Sequence, residues 1–159
     1  MHEVPSFEDF FEAHRHRLFG AMCLVTGNRS EAEEVTQDAF LRVWERWEHV
    51  STLDDPGAYL FRVTMNVFRN RLRRAGLATR RVLSLTPSGD DLAAVEDRDE
   101  IVRALRPLPP RQRAAVVLTS YLDYSSEDAG RILGIRASTV RALATQGRAG
   151  VRQAQEEQA

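Results

Sequence analysis

Lysine is absent from the 159-residue chain: all 22 basic residues are arginine. Arginine suits bidentate contacts to phosphate and guanine, although a complete lack of lysine reads first as the imprint of a genome's base composition. Cysteine is nearly absent as well. Cys23 stands alone, which excludes an internal disulfide and leaves a thiolate metal site without a second ligand. His14 and His16 fall on different faces of any helix they share and make poor joint ligands. No apolar run approaches the roughly 20 residues of a membrane span. The N-terminus carries acids and aromatics where a secretory leader has a basic start and an apolar core. A folded protein of the cytoplasm is the expectation, without cofactor or metal. Nucleophile elbows, Walker loops and dinucleotide glycine fingerprints are missing too, and the acids have no histidine that the sequence sets beside them. An enzyme has little to stand on.

What is present is helical periodicity, with 43% apolar residues, enough to fill compact cores. Ser6 with Asp9 has capping-box spacing ahead of Phe7, Phe10, Phe11, Leu18, Met22 and Val25, and Thr26-Gly27-Asn28 ends that helix. Ser30 with Glu33 repeats the signal before a second helix, whose stripe is Ala32, Val35, Ala39, Phe40, Val43, Trp44 and Trp47. The opposite face carries Glu34, Gln37, Asp38, Arg42 and Glu45, either a solvated face or a docking surface for a protein. A loop to Asp55 leads into the third helix, capped by Asp55 with Pro56 at its first position.

The third helix has the most lopsided charge in the chain. Residues 61–85 hold seven arginines and no acid, whereas residues 1–60 hold twelve acids against five arginines, in a chain of net charge −1. At helical spacing Tyr59, Arg62, Asn66, Arg69 and Arg73 share one stripe and Leu60, Phe61, Thr64, Phe68 and Leu72 turn the other way. A solvated basic face explains such a run. So does a helix laid on nucleic acid, with guanidinium groups on phosphates, Tyr59 stacking and Asn66 reading a base edge.

After Arg74 the composition shifts to Gly76, Pro87, Ser88, Gly89 and then acids, which predicts a flexible linker over 76–99. A second unit begins near Ile101. Ser125 or Ser126 caps one helix, Gly134 stops it, and Ala137 or Ser138 starts the last. That is helix-turn-helix spacing, with Ala129, Ile135 and Val140 as the expected buried contacts. Its second helix enters the major groove by its N-terminal part, bringing Arg136, Ser138, Thr139, Arg141, Ala142, Thr145 and Gln146 within reach of DNA. Residues from 152 on read as a polar tail.

In order and spacing, four stretches resemble bacterial RNA polymerase sigma factors of the extracytoplasmic-function (ECF) group. They are Glu31-Ala-Glu-Glu-Val-Thr-Gln-Asp-Ala-Phe-Leu-Arg-Val-Trp44; Pro56-x-Ala-Tyr-Leu-Phe-Arg-Val-x-x-Asn66 with Arg73-Arg74; Leu108-Pro-Pro-Arg-Gln-Arg113; and Ser126 through Leu133-Gly-Ile-x-x-Ser-Thr-Val-Arg141. The resemblance implies an all-α protein of two small helical domains: a region-2-like three- or four-helix bundle (1–75) and a region-4-like helix-turn-helix domain (100–155). The linker 76–99 joins them, and 156–159 is a tail. It implies a promoter-specificity subunit that docks on core RNA polymerase, with Glu34, Gln37, Asp38, Arg42 and Glu45 on the beta-prime clamp helices and region 4 near the beta flap. Tyr59, Arg62, Asn66, Arg69, Asn70, Arg73 and Arg74 would then hold the melted minus-ten element, and the helix-turn-helix residues named above would read the minus-thirty-five element. An anti-sigma factor is the expected antagonist. The recognition helix departs from the family pattern: Thr139-Val-Arg-Ala-Leu-Ala-Thr-Gln146 has Leu143 and Gln146 where cations are usual, so that Leu143 either meets a protein partner or is core. Asn70 stands where an acid is common. The other readings are a stand-alone helix-turn-helix regulator and a sigma-like decoy that sequesters an antagonist.

Overall fold

Two serines, an asparagine and an aspartate cap four of the helix starts. In the computed structural model, which describes residues 3–79 and 96–157, helix α1 (Phe7–Thr26) begins where the Ser6 hydroxyl accepts from the Asp9 amide at 3.1 Å. Helix α2 (Arg29–Glu45) is capped not by Ser30 but by Asn28, whose side chain accepts from the Glu31 amide at 3.0 Å. Gly27 closes α1 in the left-handed region, and the next residue, Asn28, is extended. A helix can therefore restart at once, two residues before Ser30. Arg46 interrupts the apolar periodicity, and a short helix α3 (Trp47–Val50) follows. Asp55 then accepts from the Ala58 amide at 3.0 Å to start α4 (Pro56–Thr79). Leu60, Phe61, Met65, Val67 and Phe68 of α4 are buried, as is Thr64, whose hydroxyl returns to the Leu60 carbonyl at 2.7 Å. That bond removes the penalty of an unpaired buried hydroxyl. Helices α1 and α4 both pack on α2, closing the first unit.

The expected linker falls largely on residues 80–95, outside the described residues. The chain is helical again from Glu96, earlier than Ile101, in α5 (Glu96–Leu105). Helix α6 (Pro110–Val116) runs into a π-helical turn, Val117–Tyr121. Helix α7 (Ser126–Leu133) starts where Ser125 accepts from the Asp128 amide at 3.0 Å. It stops at Gly134, whose φ of +69° is open to glycine at little cost. Helix α8 (Ala137–Glu157) packs on α5, α6 and α7 and continues into the residues read as a polar tail. Ala129 and Val140 are fully buried in the helix-turn-helix, while Ile135 is half-buried.

The two units share one hydrophobic core. Helix α1 packs on α5, α6 and the π-helical turn, and α4 packs on α7. Phe61 meets Tyr124 edge to face at 5.8 Å between ring centroids. Three arginines cross the boundary to main-chain carbonyls: Arg17 to Leu122 at 2.8 Å, Arg69 to Leu133 at 2.8 Å and Arg106 to Gly27 at 3.3 Å.

Candidate nucleic-acid and partner interfaces

The arginine stripe of α4 faces out. Arg62, Asn66, Arg69, Asn70, Arg73 and Arg74 are exposed and Tyr59 is half-buried, as expected of a helix whose apolar side faces α2. Arg69 is the exception in role: besides the Asn66 side-chain oxygen at 3.4 Å, its guanidinium holds the Leu133 carbonyl. Beside the stripe, Arg42, Glu45, Arg46, Tyr59, Val63 and Asn66 line a cleft of about 350 Å³. Two residues expected at a protein interface, Arg42 and Glu45, thus sit with two expected at DNA, Tyr59 and Asn66.

The polar face of α2 divides along its length. Glu34 is ion-paired to Arg71 of α4, and Asp38 accepts from Arg42 at 3.2 Å one turn on. Gln37 turns to the other flank, where it edges a groove of about 700 Å³ between α1 and α2. Phe7, Phe11, Phe40, Leu41 and Trp44 floor this groove, with Glu8 and Glu12 along its rim. Leu41 is 59% exposed and Trp44 58%. The sequence reading put Trp44 in the apolar stripe of α2 and passed over Leu41. Helix α2 ends at Glu45, and it is Trp47 of the next helix that turns inward, onto Phe7 and Phe10 with centroids at 5.7 and 4.9 Å. Two large apolar side chains open to solvent on one side of one helix are the signal for this surface.

On α8, Ser138, Arg141, Ala142, Thr145 and Gln146 are exposed, Arg136 is exposed in the turn before the helix, and Thr139 is half-buried. Arg141 lies 3.4 Å from Glu127, and Gln146 accepts from the Gln112 side chain at 3.3 Å. Leu143 is packed against the core. It lines a cavity of about 200 Å³ on the boundary between the units, together with Met65, Phe68, Arg69 and Leu72 of α4 and Leu133 and Ile135 of the helix-turn-helix. His14 and His16 are not brought together: His14 is half-buried with its ring 4.4 Å from Phe10, and His16 is exposed. Burial, reinforced by Arg17, lowers the His14 pKa below the usual histidine value against an opposing pull from Asp55.

Residues 10–78 match the Sigma-70 region 2 family and residues 98–149 match Sigma-70, region 4. The ECF RNA polymerase sigma factor SigM of Mycobacterium tuberculosis is 31% identical over 145 residues, covering 91% of this chain and 74% of the relative. The chain belongs to the ECF sigma factors. SigE of Mycolicibacterium smegmatis, an ECF sigma factor that is also 31% identical, is longer, and this chain spans 60% of its length. The sigma factor RpoE of Bartonella quintana, solved with the anti-sigma factor NepR, superposes with a TM-score of 0.79 at 20% identity, covering 94% of this chain and 96% of that one. The region 2 match runs from α1 into α4, and the region 4 match from α5 into α8. Sigma factors are promoter-specificity subunits of RNA polymerase and not themselves enzymes. Among the described residues of this one, no helix is long and apolar enough to cross a membrane.

Proposed function

We propose that this sigma factor binds core RNA polymerase by the α1–α2 groove and the outward face of α2, holds the melted minus-ten strand along α4, and reads the minus-thirty-five duplex with α8. The observation that carries the reading is the adjacency of two recesses on α2. The apolar groove at Gln37, Leu41 and Trp44 fits a helical protein partner, and the cleft at Arg42, Arg46, Tyr59 and Asn66 fits a base. A polymerase docked in the first sets the strand beside the second. Flipping a base costs a few kcal/mol. Stacking on Tyr59 at about 1–3 kcal/mol, with the Asn66 amide and flanking guanidinium groups, offsets that cost. Arg42 and Glu45 then serve the junction of polymerase and DNA, and Gln37 with Leu41 and Trp44 serves the polymerase itself.

The sigma factor acts where RNA polymerase acts, in the bacterial cytoplasm, and an anti-sigma factor restrains it. Support for restraint comes from the likeness of the whole fold, both regions included, to an RpoE captured with its anti-sigma factor.

The test is the double charge reversal Arg62→Glu/Arg73→Glu, which leaves Arg69 and its carbonyl bond intact. Purified variant and core polymerase are followed by co-elution and by permanganate footprinting of promoter melting. Co-elution retained and melting lost is the expected result; normal melting would show that the α4 stripe does not hold the strand.

A further inference from the structure

One acid stands in the cleft assigned above to a base. Arg42, Glu45 and Arg46 close it from the end of α2, and Tyr59, Val63 and Asn66, at steps of four and three residues, line it from α4. Glu45 is exposed, and its carboxylate takes no hydrogen bond or ion pair from any described residue although two arginines line the same cleft. An uncompensated acid facing a phosphate backbone is repelled by it. Two arginines against that one acid nevertheless leave the cleft cationic, so a strand is still attracted while the acid faces its base.

A carboxylate presents two acceptor oxygens side by side and no donor. On the Watson–Crick edge guanine alone offers two adjacent donors, the N1–H and the N2 amino group, with the O6 acceptor next to them. Adenine and cytosine set a ring-nitrogen acceptor beside their amino donor, and thymine flanks its one donor with two carbonyls. In each of those three a carboxylate oxygen meets a lone pair, which is a repulsive contact. The edge in question is occupied in a duplex and bare once a base leaves the stack. The other partners fall to single residues. Arg42 is engaged by Asp38 at 3.2 Å, which leaves Arg46 as the donor for O6, a charge-assisted bond. Tyr59, half-buried in the wall, supplies a ring for the face of the base.

We infer that this cleft selects guanine: the Glu45 carboxylate accepts from N1–H and the N2 amino group of one unpaired guanine in the melted strand, Arg46 donates to O6, and Tyr59 stacks on the ring. The inference rests on the reading of α4 as the strand-holding helix and adds the identity of the base. Glu45 thereby becomes a specificity-determining residue.

The test uses the full chain with core RNA polymerase on a promoter library randomised through the melted segment, read by sequencing the transcripts. The wild type should select guanine at one position of the held strand by about 5- to 150-fold, the range of a good bidentate contact. Glu45→Gln keeps the size of the side chain but sets an amide donor beside the oxygen. The same position should then turn to adenine or cytosine, with the preferences at other positions unchanged. On a single selected promoter, inosine in place of that guanine lacks the N2 amino group and should lower wild-type open-complex formation by roughly tenfold or more. A 7-deazaguanine, altered only on the opposite edge, should leave it unchanged. The reverse response to the two analogues overturns the inference. So does a library in which no melted position selects guanine, or a Glu45→Gln variant that retains the same guanine; both leave the strand-holding reading in place. Loss of co-elution with polymerase by Glu45→Gln assigns the carboxylate to the polymerase and also overturns it. Wild-type co-elution without a transcript from any library member removes the strand-holding reading and the inference with it.

Discussion

Replacing Trp44 by alanine separates docking from folding with unusual contrast. The indole is 58% exposed at the floor of the α1–α2 groove. Of the roughly 250 Å² that a tryptophan can bury, about 140 Å² is still open to a partner. At about 25 cal/mol per Å² the ceiling is about 3.5 kcal/mol. Alanine recovers part of that contact, so docking should weaken by about 2–3 kcal/mol, roughly 30- to 150-fold in Kd. Folding should change by about 1–2 kcal/mol, because about 110 Å² of the side chain is already covered in the free protein and alanine recovers part of it. Trp47→Ala is the internal control: that ring packs on Phe7 and Phe10, and its loss should cost about 3 kcal/mol of stability. The assay is fluorescence anisotropy of N-terminally labelled protein titrated with core RNA polymerase, with thermal melts of each variant alongside. Wild-type affinity in a folded Trp44→Ala protein, within twofold, would refute the assignment of the groove.

Two further outcomes follow from the packing. Burial holds the His14 pKa below its unfolded value, so the unfolded chain takes up the proton more readily. Stability should be full above about pH 6.5 and fall as pH drops from there towards the folded pKa; denaturant titrations of His14→Gln across pH 5–7.5 should show that slope flattened. Gly147 of α8 faces α6 so closely that an added Cβ would stand 2.5 Å from Val116 Cγ2 and 3.2 Å from the Gln112 carbonyl. Gly147→Ala should therefore lower stability by about 1–3 kcal/mol, a drop in Tm of several degrees, despite alanine's better helix propensity. A rise in Tm on calorimetry would mean that α6 and α8 can part there at no cost.

Helix starts and stops were largely legible because their chemistry is local: Ser6, Asp55, Ser125 and Gly134 act within three or four residues of themselves. Asn28 was missed in favour of Ser30 because both are good caps, and only the left-handed Gly27 decides which is used. Trp44 was misplaced for a related reason. Its spacing from Phe40 and Trp47 fits one stripe, and nothing in the spacing reveals that Arg46 breaks the helix between them. The arginine stripe of α4 and the exposed polar positions of α8 could be read from periodicity alone. The packing of region 4 on region 2 could not, since Arg17, Arg106 and Arg69 lie 105, 79 and 64 residues from their acceptors. Leu143, an anomaly in a reading helix, was the one local trace of that seam.

The acceptors that Arg17, Arg69 and Arg106 reach across the boundary between the two units are main-chain oxygens, which makes these three hydrogen bonds genetically one-sided. A side-chain pair can be broken from either end. Here no substitution at position 27, 122 or 133 deletes the acceptor, so mutation reaches the polar part of the seam chiefly through the three donors. The apolar part of the boundary, Phe61 on Tyr124 and Leu143 beside Phe68 and Leu72, can by contrast be lost from either side.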